Sequence, residues 1–371
     1  PHQIEAALFA LNNPLSKGVI LADEVGLGKT IEAGLVIAQT WAERKKRILI
    51  ITPANLRKQW YQELYDKFGL KAVIFEAKIY NQFKKEGCTK PFIQDEIIIC
   101  SYQFAKSKAN DIKNIAWDLV VIDEAHRLRN VYKKQNITAN MIKQSLEHVH
   151  NKVLLTATPL QNSLLELYGL VSILDERVFG DLESFKSQFI TGDKEVTLPQ
   201  LRARLATVCK RTLRQQVQPF VSYTARRAIV QDFTPSKEEQ KLRELVADYL
   251  RRPNLQALPV GQRQLISLVL WKLLASSTQA IAGALATMIA RLEKKLIDQD
   301  SNILDELDDD YEALIESGDD YDELLEDDEL LSAQEKQAIE LEIAELKEFQ
   351  NLAVGIKQQS KGLALLTALE T

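Results

Sequence analysis

A glycine-rich loop near the start of the chain carries residue types that bind phosphate. The stretch GVILADEVGLGKTIEAG, residues 18–34, places an apolar run before the loop and a helical pattern after it. Gly26 and Gly28 permit a tight backbone path, and the following helix directs the positive end of its dipole at the loop. Lys29 can reach the β and γ oxygens of a nucleotide, and Thr30 can ligate Mg2+. The order of strand, loop and helix therefore predicts a phosphate cradle.

Two adjacent acids follow a later apolar run. Asp123 and Glu124 come directly after residues 119–122 and begin the sequence DEAH. An aspartate at a strand end can hold the Mg2+ of a bound nucleotide through water, and a carboxylate beside it can polarise an attacking water. The pair predicts nucleotide hydrolysis with two separate acidic roles. The segment Thr156-Ala157-Thr158, after another apolar run, offers hydroxyls that could link the pocket to a second surface, or it is a simple strand-end turn.

Short apolar runs alternate with helical patterns and would position these residues. The apolar runs are 18–22, 47–51, 72–75, 97–100, 119–122 and 153–155. The helical patterns are 2–11, 55–68, a segment near 134–148, and about 163–174. Runs that are apolar throughout and separated by helices predict parallel strands covered on both faces. The expected fold is therefore a doubly wound α/β domain, in which ligands gather at the carboxyl ends of the strands.

Composition excludes several classes of protein. The three cysteines are far apart, which fits a reducing, cytoplasmic compartment, and they form no ligand cluster with the four histidines. We therefore expect no zinc, and the longest apolar stretch, 273–290, is too interrupted by polar residues to predict a membrane span. The net charge is −5, but residues 298–329 hold 17 acidic residues and no basic one. The rest of the chain is therefore basic, which is compatible with a nucleic-acid partner.

Five motifs in order resemble the first RecA-like motor lobe of superfamily-two helicases. They are DEVGLGKT (23–30), LIITPANLRKQW (49–60), IIICSYQF (97–104), DEAH (123–126) and LLTATPLQN (154–162). More narrowly, the chain is similar to Swi/Snf-type translocases of double-stranded DNA over residues 1 to about 240. The amino-acid sequence of the loop is most similar to the loops of bacterial members, including the RNA-polymerase-associated and phage-defence branches. A strict phosphate loop has glycine where this chain has Asp23, but aspartate is usual there in this family.

The resemblance implies an ATP- and Mg2+-dependent enzyme that acts on duplex DNA. The implied nucleotide-binding set is Gln3, which would contact adenine, with Asp23, Glu24, Gly26, Leu27, Gly28, Lys29 and Thr30. The implied catalytic residues are Lys29, Asp123 and Glu124, with Thr30 and Asp123 at the metal. The residues expected to couple the ATP state to DNA are His126, Thr156 and Thr158. The motifs that face the DNA backbone in relatives contain Thr52, Pro53, Arg57, Ser101, Tyr102, Gln161 and Asn162.

Without the family resemblance, the residues give weaker evidence for DNA binding. Basic side chains lie near the predicted strand ends, where they could contact phosphate or could be ordinary solvated surface charges. These side chains are Arg57, Lys58, Arg127, Arg129, Lys133 and Lys134. The sequence contains no basic strand interleaved with aromatic residues, the pattern that would indicate stacking on single-stranded bases. This favours a protein that tracks a duplex through its backbone.

The second half of the chain has a different sequence pattern from the first. We expect a first RecA-like lobe at 1–225, a helical extension at 226–297, an acidic insertion at 298–333 and amphipathic helices at 334–371. Within the extension, 227–233 predicts a short strand, and Ser236 with Glu239 predicts a capped helix. Ile339, Ile343, Leu346, Phe349, Ala353 and Ile356 form the apolar stripe of a long helix.

A complete motor of this class closes two lobes around ATP, and the second lobe supplies an arginine finger. Residues 240–371 show no alternating strands, so this chain alone is expected to bind ATP weakly and hydrolyse it poorly. Two alternatives to a translocase remain open. One is a regulatory module that docks a protein partner through the 334–356 helix or the acidic segment. The other is a strand-separating helicase, which shares all five motifs.

Overall fold

The structure is a computed structural model that describes residues 2–13, 16–160, 163–217, 230–252, 255–257, 263–297, 333–356 and 359–370. The chain divides into two compact units, with the boundary after Tyr223. Unit 1 contains the predicted phosphate loop and the DEAH acids. The acidic insertion predicted at 298–333 falls almost entirely outside the described residues, as do Gln161 and Asn162.

Unit 1 is built around a parallel seven-stranded sheet. Its strands are β1 (Gly18–Leu21), β2 (Ile48–Ile51), β3 (Ala72–Ile74), β4 (Ile97–Cys100), β5 (Leu119–Ile122), β6 (Lys152–Leu155) and β7 (Cys209–Lys210). The strand order is β3-β4-β2-β5-β6-β1-β7, and every neighbouring pair is parallel. The six predicted strands are all present. The seventh, β7, is only two residues long, which is too short for a periodic signal in the sequence.

Helices connect the strands and cover the sheet. In unit 1 they are α1 (His2–Leu11), α2 (Lys29–Ala42), α3 (Arg57–Phe68), α4 (Ala77–Lys85), α5 (Tyr102–Ser107), α6 (Ala109–Lys113), α7 (Ile137–Ser145), α8 (Leu164–Leu174), α9 (Leu182–Phe185), α10 (Lys194–Ala206) and α11 (Arg214–Val217). Short 3-10 turns cover Ala54–Leu56, Ala125–Leu128 and Glu176–Val178, and Lys186–Ile190 is π-helical.

The sheet buries both of its faces, as a doubly wound fold requires. Along β1, Val19 and Leu21 pack into one apolar cluster while Ile20 packs into the other. In β2, Ile48 and Ile50 face the first of these clusters, and Leu49 and Ile51 face the second. Successive side chains of a strand point to opposite faces, so two covered faces need apolar residues at every position. This is why the strands appear in the sequence as uninterrupted apolar runs.

The strand order brings the predicted site residues to one edge of the sheet. β6 pairs with both β1 and β5, and Ile51 at the end of β2 lies in register with Ile122 at the end of β5. The carboxyl ends of these four strands therefore lie side by side. The phosphate loop follows β1, and Asp123 follows β5.

Unit 2 is helical in the part that the structure describes. Its helices are α12 (Lys237–Leu250), α13 (Arg263–Ser276), α14 (Thr278–Ile297), α15 (Ala333–Gly355) and α16 (Ser360–Glu370). The predicted cap is confirmed, because Ser236 and Glu239 form a reciprocal capping box at the start of α12. Residues 230–233 form no strand, which corrects the described part of the strand predicted at 227–233.

The apolar stripe predicted on the 334–356 helix is buried inside unit 2. All six of its residues belong to one cluster with side chains of α12 and α14. Burial of this face supplies the packing energy of the unit. The stripe itself is therefore covered in this conformation, and docking of a protein partner through the rest of the 334–356 helix stays a prediction. None of the helices that the structure describes has the length and apolar content needed to cross a bilayer.

Candidate nucleotide-binding site

The phosphate loop joins the end of β1 to the start of α2. Gly26 and Gly28 have φ angles of 86° and 88°, in the left-handed region that favours glycine. A Cβ at Gly28 would also collide with the side-chain amide of Gln3. Gly28 gives the first turn of α2 no side-chain cap, so the N–H groups of that turn face the loop. A cradle that even one methyl group would fill fits the close approach of a phosphate chain.

Lys29 lies across this loop. Its Nζ donates a hydrogen bond of 3.0 Å to the main-chain O of Asp23, which holds the ammonium group above the cradle. A phosphate oxygen is a stronger acceptor than a carbonyl because it is charged. Thr30 follows in the first turn of α2, half-buried beside the loop. The donor set of an ammonium group, a hydroxyl and helix N–H groups suits a nucleotide with its metal ion.

Helix α1 supports the other end of the loop. Both His2 Nε2 and Gln3 Nε2 lie 3.0 Å from the main-chain O of Leu27. Gln3 therefore contacts the phosphate loop. Its contact with adenine stays a prediction.

A pair of buried carboxyl groups underlies the loop. Asp23 and Glu32 are both 0 % exposed. The N–H of Thr212 donates a 2.6 Å hydrogen bond to Asp23 Oδ1, but Asp23 Oδ2 and both Glu32 oxygens make no protein hydrogen bond of good geometry. Burial, and then the charge of Asp23, raises the pKa of Glu32 to about 8. The charge of Lys29 opposes this rise but does not cancel it. Two neighbouring buried carboxyls cannot both ionise cheaply, so the pair holds a proton at neutral pH.

Asp123 is held in one orientation by three donors. Its Oδ2 accepts hydrogen bonds from Trp60 Nε1 at 2.8 Å and from Thr52 Oγ1 at 3.4 Å. Its Oδ1 accepts one of 2.9 Å from the N–H of Glu124. Burial raises the pKa of the Asp123 carboxyl, and the hydrogen bond from Trp60 opposes that rise. A carboxylate fixed in this way is suited to a metal ion, whose charge would favour the ionised form.

Glu124 has an unusual backbone and a histidine partner. Its φ of 51° is in the left-handed region, rare for a residue with a side chain. His126 Nδ1 lies 3.1 Å from Glu124 Oε2, close enough for an ion pair but not aligned as a good hydrogen bond. The interaction with His126 lowers the pKa of Glu124. An ionised carboxylate beside an aspartate that is predicted to hold a metal ion can act as a general base.

Thr156 and Thr158 lie at the end of β6, next to the loop. The N–H of Thr156 donates a 3.1 Å hydrogen bond to the O of Leu21, which ties the end of β6 to the end of β1. The Oγ1 of Thr156 accepts a 3.2 Å bond from the N–H of Thr158. The two threonines are thus brought together at the base of the phosphate loop. Their role, with His126, in coupling the ATP state to DNA stays a prediction.

The residues predicted to face DNA are less accessible than expected. The side chains of Thr52, Pro53, Arg57, Ser101 and Tyr102 are all buried. Their role in contacting nucleic acid therefore stays a prediction, and in this conformation these five side chains are covered by the rest of unit 1. The other two residues predicted for this surface, Gln161 and Asn162, lie outside the described residues.

The buried residues of this set support the fold and the DEAH acids. Arg57 is 2 % exposed, donates to Ala54 O and lies 3.7 Å from Glu76 Oε1. Ser101 caps α5. Tyr102 donates a 2.5 Å hydrogen bond to the main-chain O of Asp123.

The six basic residues considered for phosphate contact fall into two groups. Arg57 and Arg129 are buried, the latter with its Nε 3.6 Å from Glu166, and Arg127 is half-buried over the ring of Tyr102. Lys58, Lys133 and Lys134 are exposed. Of these six side chains, the three exposed lysines are the most accessible to a phosphate backbone.

Three residues at the site were not predicted. Trp60 belongs to a quoted motif, but no property of a single sequence marks its indole as a partner of Asp123. Glu32 lies two residues after Thr30 and faces the core instead of solvent. Arg214, which contacts the phosphate loop, is 186 residues from Gly28, so only the tertiary fold connects them.

Comparisons with known proteins decide the family. The profile of the SNF2-related domain matches residues 2–245, well over half of the chain. The chain belongs to the SNF2-related family. RapA, an RNA polymerase-associated protein, is 36 % identical in Yersinia enterocolitica over 189 residues, which is 50 % of this chain and 19 % of the relative. RapA of Serratia proteamaculans is 35 % identical over 192 residues, 51 % of this chain and 20 % of the relative.

This SNF2-related chain thus spans about a fifth of the length of the curated relatives it matches. The solved SWI2/SNF2 ATPase core of Sulfolobus solfataricus in complex with double-stranded DNA has a TM-score of 0.50 with this chain at 23 % identity. That match covers 76 % of this chain and 58 % of the other. At this identity the likeness shows the fold alone. It confirms the RecA-like α/β fold predicted from the sequence.

Proposed function

We propose that this chain is the ATP-binding lobe of a DNA-stimulated ATPase that moves along duplex DNA and displaces or remodels what is bound there. The observation that carries the proposal is that a phosphate cradle after β1 and two DEAH acids after β5 lie at the same edge of the sheet, with only β6 between the two strands. Membership of the SNF2-related family supports ATP as the nucleotide. DNA as the partner is supported by the Sulfolobus core, which was solved in complex with double-stranded DNA, and by the association of RapA with RNA polymerase.

The described residues suit each requirement of hydrolysis. The N–H groups of the first turn of α2 and the Lys29 ammonium would bind the β- and γ-phosphates. Glu124, kept ionised by His126, would take a proton from the attacking water as its oxygen bonds to the γ-phosphorus. The bond to the bridging oxygen breaks, and ADP leaves. Asp123 and Thr30 would hold Mg2+, which neutralises charge on the phosphate oxygens when it is bound.

Contact with DNA would begin at the exposed lysines. Lys58, Lys133 and Lys134 lie on segments next to the ends of β2 and β5. Ammonium groups there would contact phosphates without regard to base sequence and would make binding fall steeply with salt. Such contacts suit a protein that tracks a duplex.

ATP hydrolysis by the full-length parent protein, with and without linear duplex DNA, tests this proposal. We expect DNA to raise the rate several-fold, Lys29→Ala to lose nucleotide binding, and Glu124→Gln to retain binding but not turnover. This chain alone should bind ATP and turn it over slowly. An ATP hydrolysis rate that is the same with and without DNA would overturn the translocase proposal. Strand displacement measured beside triplex displacement would separate unwinding from translocation.

A further inference from the structure

A segment near the end of unit 1 runs alongside the phosphate loop. β7 pairs in parallel with β1, with Cys209 opposite Ile20 and Lys210 opposite Leu21. The pairing continues beyond both strands, because the N–H of Ala22 donates to Lys210 O at 2.8 Å and that of Glu24 donates to Thr212 O at 3.2 Å. The ladder therefore extends from the sheet into the loop itself.

Residues 212–214 hold three consecutive loop residues. The N–H of Thr212 donates to Asp23 Oδ1 at 2.6 Å, and the N–H of Arg214 donates to Glu24 Oε2 at 2.9 Å. The Arg214 guanidinium donates to the main-chain O of Val25 from Nε at 3.0 Å and also from Nη2. Two N–H groups directed at one carbonyl fix both the position and the orientation of that peptide.

The shape of the loop at Gly26 agrees with this contact. A Cβ at Gly26 would lie 3.2 Å from Nη2 of Arg214, so the glycine leaves room for the guanidinium to lie close against the loop. The neighbouring Val25 is 64 % exposed and contributes little packing of its own. Arg214 thus fixes the loop at Val25, where packing against the core does not.

The arginine itself is anchored in unit 1. It begins the short helix α11, whose last residue, Val217, is buried. The N–H of Leu213 donates a 2.9 Å hydrogen bond to Gln216 Oε1 within the same turn. Because the backbone of Arg214 is anchored, its guanidinium loses less conformational freedom on contacting the Val25 carbonyl than a mobile surface side chain would.

We propose that Arg214 is a positioning residue that preorganises the phosphate loop for ATP. The loop is then held from both sides, by α1 at Leu27 and by residues 212–214 at Asp23, Glu24 and Val25. A loop held in its binding shape loses less conformational freedom when phosphate binds. The inference rests on the proposed function for its nucleotide, but the clamp itself concerns contacts within this chain.

The test compares Arg214→Met, which keeps an apolar stem, with Arg214→Lys, which keeps the charge without the planar fork. Arg202→Met is the matched control, since Arg202 is exposed on α10. Binding of a fluorescent ATP analogue to the whole chain is measured first. Hydrogen exchange of residues 22–28 is then measured without nucleotide, with strand β2 as the internal reference.

We expect Arg214→Met to weaken binding about tenfold and to speed exchange in 22–28 while β2 is unchanged. Arg214→Lys should recover part of the affinity, and Arg202→Met should match the wild type. Unchanged affinity and loop exchange in Arg214→Met would overturn the inference, as would faster exchange throughout the sheet. If the wild type binds no nucleotide, the proposed function fails, and the exchange comparison still decides whether the clamp exists.

Discussion

The indole Nε1 of Trp60 donates a hydrogen bond of 2.8 Å to Oδ2 of Asp123. Trp60 lies on α3 and is buried, 63 residues before its partner in the chain. The aspartate is the residue expected to hold the metal ion of the nucleotide. A buried aromatic side chain therefore orients the carboxylate that is predicted to hold the metal ion.

Replacement of Trp60 by phenylalanine should impair hydrolysis more than folding. Phenylalanine keeps most of the apolar packing but removes the donor, and a hydrogen bond to a charged group is worth about 1.5–3 kcal/mol. We expect kcat of the DNA-stimulated reaction to fall roughly tenfold or more, with a raised Mg2+ requirement. The control is Trp117→Phe, which removes an indole donor to Ile112 O. Equal losses in the two variants would contradict the role of Trp60.

Replacement of Gly28 by alanine should abolish ATP binding. The new Cβ would meet the Gln3 amide within the cradle, and φ at this position is 88°. Gly87→Ala is a matched control, because Gly87 has φ of 86° but open space around a Cβ. Both variants should lose about 1–2 kcal/mol of stability from the left-handed backbone, and only Gly28→Ala should lose nucleotide binding in calorimetry. Normal binding by Gly28→Ala would show that the cradle is not the phosphate site.

Glu32 should make unit 1 less stable as the pH rises. Its pKa is about 8 in the folded chain and 4.5 ordinarily, so between these values the folded chain holds a proton that the unfolded chain has released. The contribution of Glu32 to the free energy of unfolding should therefore be greatest below pH 4.5 and fall by up to about 1.4 kcal/mol per pH unit across that window. Glu32→Gln, which stays neutral, should remove this dependence.

Thermal unfolding at pH 5, 7 and 9 measures the effect of Glu32. The wild type should lose stability relative to Glu32→Gln as the pH rises, so that the variant is the more stable protein at pH 9. Glu195→Gln serves as the control, because Glu195 is exposed. Parallel pH profiles for the wild type and Glu32→Gln would show that Glu32 is ionised throughout.

Removal of the His126 side chain should shift the acid side of the pH–rate profile. His126 lowers the pKa of Glu124, and the proposed base works only when it is ionised. In His126→Ala that pKa should return toward 4.5, so activity should begin to fall at a higher pH as the solution is acidified. The profile of kcat for DNA-stimulated hydrolysis between pH 4 and 7 tests this, with exposed His148→Ala as the control. An unchanged acid limb would exclude Glu124 as the titrating base or His126 as its partner.

Local patterns in the sequence were enough to predict most of the architecture of unit 1. The apolar runs, the loop glycines and the helical stretches each report on a few consecutive residues, and backbone geometry converts such patterns directly into strands, turns and helices. The placement of Asp123 and Glu124 at a strand end, near the phosphate loop, follows from the same signals because ligands gather at that edge of a parallel sheet. The prediction of which residues form the apolar stripe of the 334–356 helix is also confirmed.

Tertiary packing determined which side chains meet. The lateral order of the strands places β1 between β6 and β7, and only that order brings Arg214 to Val25. From the sequence, Arg57 could be a phosphate contact or a solvated surface charge, but its side chain is buried beside Glu76. Contacts between distant segments depend on how whole faces pack, and the residue type at one position does not encode them. The sequence therefore determined the elements and the chemistry of the site, and the fold determined what supports it.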